Sequence, residues 1–397
     1  MPMHYDHVFF DEVIDRRGTD CEKWDGINAG RKTELLPMWV ADMDFRCPEA
    51  VSRALVARAM HPVYGYTEQT EAAVEAQLAF LKRRHGVAVS KAQQVTLPCV
   101  VTGLRAAVRV LTRPGEGVLV QPPVYGPFFR VTTENARTVV ESPLIRDESG
   151  TYRMDYAGIE AALQRGVKVI LLCSPHNPVG RCWTREELAR LYGLCKAYCA
   201  TLISDEIHMD FVYAPGTFIS ALTLDEGEDA RIAVLTSASK TFNLAGLRQA
   251  MLLTRNPALL KALADDMDAA GVVDGNLFSY LATEAACRDG DAWLDAMLAY
   301  LDEARALVQR ELAARLPKAV MTPIEATYLA WLDLRAYGHS TAELTRRTHA
   351  AGVAFTPGTF FGQEAGEGFL RLNFACPHSQ TLEAIRRLET ALQLPGC

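Results

Sequence analysis

Thr236-Ser-Ala-Ser-Lys-Thr-Phe-Asn-Leu-Ala-Gly-Leu-Arg248 begins where the apolar run Ile232–Thr236 (IAVLT) ends. It sets Lys240 just past a strand end, with Ser237 and Ser239 before it and Arg248 behind. A lysine that forms a Schiff base needs a rigid support and an unprotonated amine. Serine hydroxyls and a guanidinium fork beside it make a seat for a phosphate. Taken alone, a lysine near serine and arginine reads better as a surface lysine, so the rest of the chain has to decide.

Outward from this stretch, short apolar runs alternate with helical patterns. Val118–Gln121, Val167–Cys173, Thr201–Ser204 and Gln249–Thr254 read as strands. Glu186–Ala200 reads as a helix opened by Thr184, with acids in its first turn. Such alternation predicts an α/β fold with a mostly parallel sheet. In open sheets of this kind ligands bind beyond the carboxyl ends of the strands. The polar clusters Ser174–Pro178, Asp205–His208 and Ser237–Lys240 fall there. After about residue 290 the pattern changes. A long helix is expected over Asp291–Leu316, strands over Tyr328–Leu334 and Phe369–Phe374, and a closing helix over Gln380–Leu392. The division expected is a large domain over 45–289 and a smaller α+β domain over 290–397, against which 1–44 packs.

Further motifs carry chemistry, each beside a plainer reading. Asp205, in Ser204-Asp-Glu-Ile-His208, is a strand-end carboxylate able to pair with a pyridinium nitrogen, or a helix N-cap. His208 is a site residue or a satisfied structural histidine. Ser174-Pro-His-Asn-Pro-Val-Gly180 has turn chemistry of its own, with His176 a turn residue. Pro98-Cys-Val-Val-Thr-Gly-Leu104 opens a helix running through Leu111, whose first amides, Val100 and Val101, offer an anion seat. Tyr125, in Gln121-Pro-Pro-Val-Tyr-Gly-Pro127, can stack on a flat ring or fill a core. Arg371, in Arg-Leu-Asn-Phe-Ala-Cys-Pro, can clamp a carboxylate with two bonds or sit on a strand surface.

The pattern S-x-S-K-x5-G-x-R over 237–248, with the other motifs in this order, resembles the class I/II aminotransferase superfamily of fold type I. The resemblance spans nearly the whole chain. It implies pyridoxal 5′-phosphate (PLP) as cofactor, held on Lys240, with Asp205 on the ring nitrogen and Tyr125 stacked on the ring. It places Asn177 at the ring 3′-oxygen and near the substrate carboxylate. It puts His208 where relatives usually carry a tyrosine. Arg371 becomes the carboxylate clamp. The phosphate falls to Val100, Val101, Ser237, Ser239 and Arg248. Relatives usually have glycine where Cys99 stands, which bears on the geometry of the phosphate loop.

The N-terminal part narrows the resemblance. Phe10-Asp-Glu-Val-Ile-Asp-Arg-Arg-Gly-Thr19, Lys23-Trp-Asp25 and Leu36-Pro-Met-Trp-Val-Ala-Asp-Met-Asp-Phe45 resemble the opening of the MalY/PatB-type carbon–sulfur lyases, the cystathionine β-lyases. The plainer reading of these motifs is packing and dimer contact. Tyr64-Gly-Tyr-Thr67 matches the segment that reaches a neighbouring subunit's phosphate, with Tyr66 the closer match and Tyr64 usually Phe in relatives. The resemblance therefore implies a homodimer with shared active sites. It implies that Lys240 removes the substrate α-proton and that a sulfur group then leaves Cβ, giving a thiol, pyruvate and ammonia. Asp205, Lys240 and Arg371 serve transamination as well, so an amino-acid aminotransferase is the first alternative. A regulatory protein that binds a transcription factor is the second.

Bulk properties agree. The chain has 397 residues and a formal net charge of −7, with a pI near 5.8, which argues against nucleic acid or an anionic membrane as the main partner. The ten cysteines show no C-x-x-C pair and no zinc spacing, Cys195 and Cys199 included, so no metal is expected. They read as buried free thiols. The polar start, Met1–Asp15, does not resemble a signal peptide, and no apolar stretch reaches the roughly 18 residues of a membrane span. A cytoplasmic location is expected.

Overall fold

A computed structural model of the chain describes residues 4–272 and 275–393. Its centre is a seven-stranded sheet. In chain order its strands are β1 (Gln94–Leu97), β2 (Gly117–Val120), β3 (Thr138–Glu141), β4 (Val169–Cys173), β5 (Thr201–Asp205), β6 (Ile232–Thr236) and β7 (Ala250–Leu253). In space the order is β1-β7-β6-β5-β4-β2-β3. Strand β7 runs antiparallel to both neighbours, and the other pairings are parallel. The orientation of β7 was not legible in the sequence, because an apolar run carries no direction.

Side chains alternate across the sheet, as the two-residue period of a strand requires. Leu119, Ile170, Leu172, Leu202 and Val234 enter one hydrophobic cluster. Val118, Val120, Leu171, Ile203 and Leu235 enter another on the opposite face. Both faces are thus covered by apolar layers, which explains why the strands read as continuous apolar runs. The helix Val100–Leu111 packs on the second of these faces. Gly103 allows the approach, since a Cβ there would overlap the Leu235 side chain.

A second, antiparallel sheet has the order β8-β9-β11-β10, formed by β8 (Val320–Met321), β9 (Leu329–Asp333), β10 (Thr356–Pro357) and β11 (Phe369–Asn373). The helices Asp291–Arg315 and His378–Gln393 contact each other beside it. The N-terminal segment joins this part through the parallel pairing of Leu36–Pro37 with Val353–Ala354. One apolar cluster runs from Phe10 and Phe45 through Trp293 and Leu301 to Leu370 and Leu388.

The capping expectation holds at Thr184, which makes a capping box with Glu187, although that helix ends at Ala197, three residues short of the expected Ala200. The thiols are less uniform than expected. Cys173, Cys182, Cys195, Cys287 and Cys376 are buried, whereas Cys99 and Cys199 are exposed. Among the described residues no cluster of side chains could hold a metal ion, and no helix is long and apolar enough to cross a membrane.

Candidate active site

Strands β1, β2, β4, β5 and β6 all point one way, so their carboxyl ends share one edge. Past these ends come Cys99–Val101, Gln121–Tyr125, Ser174–Asn177, Asp205–His208 and Ser237–Lys240. One topological fact thus collects residues spread over about a third of the chain.

Asp205 is the last residue of β5 and is buried. Its Oδ1 accepts a hydrogen bond from the Ile207 amide at 3.1 Å. No helix begins there, so the N-cap reading fails. Burial pushes its carboxyl up to about 7, against the smaller opposing effects of that bond and of the Lys240 charge. A buried carboxylate with so little compensation calls for a cation.

Lys240 lies on the single helical turn Ala238–Thr241 directly after β6. Ser237 caps this turn, accepting from the Ser239 amide at 3.0 Å. Its hydroxyl lies within donor range of the Gln249 carbonyl (2.5 Å) and of Ser239 Oγ (2.7 Å). Ser237 thus has a structural task beyond the phosphate seat. Burial lowers the Lys240 ammonium to about 8, with Asp42 opposing the shift. Its Nζ donates to the carbonyl oxygen of Ala41.

Arg371 reaches the same region from the centre of β11. It is buried. Its Nη1 donates to Asn177 Oδ1 at 3.2 Å, and its Nη2 to the Trp39 carbonyl at 2.5 Å and to Thr356 Oγ1 at 3.0 Å. Its Nε has no partner among the described residues. Burial holds its guanidinium down at about 10. The surface-strand reading is therefore wrong, and Asn177 and Arg371 form one unit.

His208 is buried and its Nδ1 has no partner among the described residues. Burial, then the charges of Lys240 and Arg371, lower it to about 3, so the ring is neutral. It packs against the rings of Tyr328 (5.9 Å) and Phe211 (6.1 Å). Tyr125 meets Phe360 edge-on at 6.2 Å, and its hydroxyl is affected by Asp205 and Arg371. His176 Nε2 donates to the Pro123 carbonyl (2.9 Å), in keeping with a turn role.

The helix Val100–Leu111 begins at the site with no side-chain cap, so the first amides remain open to an anion. Cys99 has φ −165° and ψ 157°, ordinary extended backbone that any residue adopts. Its departure from glycine therefore leaves the loop geometry intact. Arg248 is exposed at φ +54°. Tyr66 is fully exposed.

Several residues of this site escaped the sequence reading. The carbonyls of Trp39 and Ala41 lie inside the motif Leu36–Phe45, but a backbone group leaves no mark in residue type. Tyr328 was read only as the start of a strand, and its hydroxyl donates to Ala41 O at 2.9 Å. Thr356 is likewise a small residue with no distinguishing pattern around it.

The donor set can be tested against PLP from the side chains alone. A buried carboxylate raised by burial, an amine lowered toward neutrality, an orphaned imidazole nitrogen and an uncapped helix start are the groups that a cationic ring, an aldehyde, a phenolic oxygen and a phosphate would engage. The residues fit the cofactor.

Fold and site together define a fold type I enzyme, a class whose sheet edge carries a lysine opposite a carboxylate. The family model for aminotransferases of class I and II matches residues 35–388. Cystathionine beta-lyase PatB of Bacillus subtilis is 38% identical over 389 residues, covering 96% of this chain and 99% of its own. Protein MalY of Escherichia coli is 33% identical, covering 97% and 98%. Cystalysin of Treponema denticola, whose crystal structure contains PLP, superposes with a TM-score of 0.92 at 31% identity, covering 98% and 99%. The chain belongs to the class I and II aminotransferase family, in its MalY/PatB-type branch.

Proposed function

We propose that this chain is a PLP-dependent carbon–sulfur β-lyase of the cystathionine β-lyase type. The observation that carries the reading is the pair of half-buried Lys240 and buried Asp205 at neighbouring strand ends, faced by the Arg371–Asn177 unit. The branch relatives PatB, named as a cystathionine β-lyase, and MalY supply the choice of reaction.

Bound PLP supplies a cationic ring that draws electrons from the α-carbon of an attached amino acid. The chain's own groups do the rest. Asp205 keeps a proton on the ring nitrogen through its charge. Arg371 and Asn177 hold the substrate α-carboxylate, which fixes which bond at the α-carbon stands ready to break. The freed amine of Lys240 accepts the α-proton; an amine lowered from its ordinary 10.5 to about 8 has a far larger neutral fraction near neutral pH, about one-tenth at pH 7. Tyr125 would cover the ring and His208 would lie toward its oxygen. The amides of Val100 and Val101 would hold the phosphate with Ser237, Ser239, Arg248 and the partner copy's equivalent of Tyr66. Loss of the sulfur substituent at Cβ follows. With water, cystathionine gives homocysteine, pyruvate and ammonia.

The reading includes a homodimer, supported by the exposure of Tyr66. It also includes the domain division at residues 45 and 290, supported by the containment of the seven-stranded sheet in Gln94–Leu253 and of the second sheet in Val320–Asn373. The test is incubation of the holoenzyme with cystathionine and no keto acid. Equal amounts of thiol and pyruvate are expected. Accumulation of pyridoxamine phosphate without thiol would make the chain a transaminase instead.

A further inference from the structure

The segment Trp39–Asp42 passes over the site as a row of backbone carbonyls, each held by a side chain. Arg371 takes the carbonyl of Trp39. Asn373 Nδ2 takes those of Val40 (2.5 Å) and Asp42 (2.7 Å). Thr356 Oγ1 also donates to the Trp39 carbonyl (2.8 Å) and Lys23 Nζ to that of Asp42 (3.2 Å). The Ala41 carbonyl is the one that takes the Lys240 amine, together with the hydroxyl of Tyr328 at 2.9 Å.

Tyr328 is built to stay in place. It is 0% exposed. Its ring meets Phe211 edge-on at 4.8 Å and His208 at 5.9 Å. The residue before it, Thr327, has φ +72°, which is strained for a β-branched side chain. That turn is fixed by the Thr327 amide on the Phe211 carbonyl (2.7 Å) and by the Tyr213 hydroxyl on the Thr327 carbonyl (2.9 Å). Strain maintained by buried bonds at one residue aims the next one at Ala41.

We propose that Tyr328 is a positioning residue whose hydroxyl holds the Ala41 carbonyl as the docking point of the free Lys240 amine. The inference rests on the function proposed above, because only then does Lys240 alternate between a free and a bonded state. An amine that condenses with an aldehyde loses both its hydrogens, which leave with the aldehyde oxygen as water. Lys240 then no longer satisfies Ala41, and Tyr328 becomes the sole donor to that half-buried carbonyl among the described residues. When substrate frees the lysine, the amine has a fixed acceptor to return to, beside the α-carbon it must deprotonate.

Two measurements decide. In cofactor-free protein, unfolding midpoints are compared for Tyr328→Phe, Lys240→Ala and the double variant. Each single variant leaves Ala41 one donor, so the double variant is expected to lose more than the sum of the two; additive losses overturn the proposal. In the second measurement PLP is titrated and its linkage followed by visible absorbance. Tyr328→Phe is expected to hold PLP about tenfold more weakly, the effect of one carbonyl oxygen left without a donor, while its cofactor-free midpoint stays near that of the unmodified protein. Unchanged affinity overturns the proposal. So does a variant that is equally destabilised, or fails to fold, without cofactor, since Tyr328 would then serve packing alone. If the unmodified protein never acquires the visible band, the cofactor reading fails, and the cofactor-free cycle still judges the Tyr328–Lys240 coupling.

Discussion

Lys240 and Asp205 owe their chemistry to burial, and each makes a separate pH prediction. An aldehyde reacts with the neutral amine, so the rate at which cofactor-free protein captures PLP should rise with pH and level off above about 8. A stopped-flow pH series checks this, and a profile still rising steeply near pH 10 would mean that the amine is not lowered. Asp205 works in the opposite sense. Its folded value, about 7, lies above the ordinary 3.8, so the folded state holds this proton more tightly than the unfolded chain. Stability from this group is present below pH 4 and is lost as pH rises toward 7. Buried neutral His208 and His176 tilt the protein the other way below pH 6.5, so the unmodified protein alone does not isolate the effect. The difference between Asp205→Asn and the parent does. In cofactor-free protein the variant should gain relative stability across pH 4 to 7, by a few kcal/mol at most, at up to about 1.4 kcal/mol per pH unit. Urea unfolding at several pH values measures it; a flat difference would show that Asp205 stays ionised without a partner. With cofactor the same variant should lose about a hundredfold or more in turnover, as when a fixed charge at a reacting centre is removed.

At the scale of elements, the start of Val100–Leu111 has no side-chain cap, and the proposed function gives its backbone amides the cofactor's phosphate. Cys99 has extended dihedrals and contributes only an exposed thiol, 3.3 Å from Thr102 Oγ1. Cys99→Gly should therefore change PLP affinity by no more than about twofold, the range of a surface substitution; a tenfold change in equilibrium titration would show that the thiol shapes the seat. The elements themselves were largely legible. β4 and β6 announced themselves because both faces are buried, so nearly every position is apolar, and β5 did so through Leu202 and Ile203. Their polar ends were legible because hydrogen-bonding residues cluster where the sheet edge opens. Direction was not: β7, antiparallel to both neighbours, resembles the parallel strands in composition. Nor were backbone ligands legible, so Ala41 and Trp39 went unseen inside a motif noted only for its resemblance. Tyr328 went unseen because its function depends on the strained turn at Thr327, which residue type does not disclose. Lys23, read as part of a motif, proved to be a buried cation bonded to Asp44 at 2.7 Å.

At the scale of the molecule, one surface remains to be covered. Val56, Met60, Val63, Tyr64 and Tyr66 are exposed along the end of the helix Glu49–Ala59 and the segment after it. Contiguous apolar exposure of this kind marks an interface, and a two-fold pairing lets the same segment of each copy reach the other's site. Mixing Lys240→Ala with Tyr66→Ala, after dissociation and reassociation, should give more lyase activity than either variant alone, because a mixed dimer restores one site with both residues intact. No gain, with mixed dimers demonstrated by mass, would place Tyr66 outside the neighbouring site. The central claim is that this whole architecture serves one covalent bond at Lys240. Borohydride reduction of the PLP-reconstituted protein, followed by peptide mapping, tests it most directly. The pyridoxyl mass should fall on the peptide containing Lys240 and on no other. A label on a different lysine, or folded protein that takes none, would contradict the account.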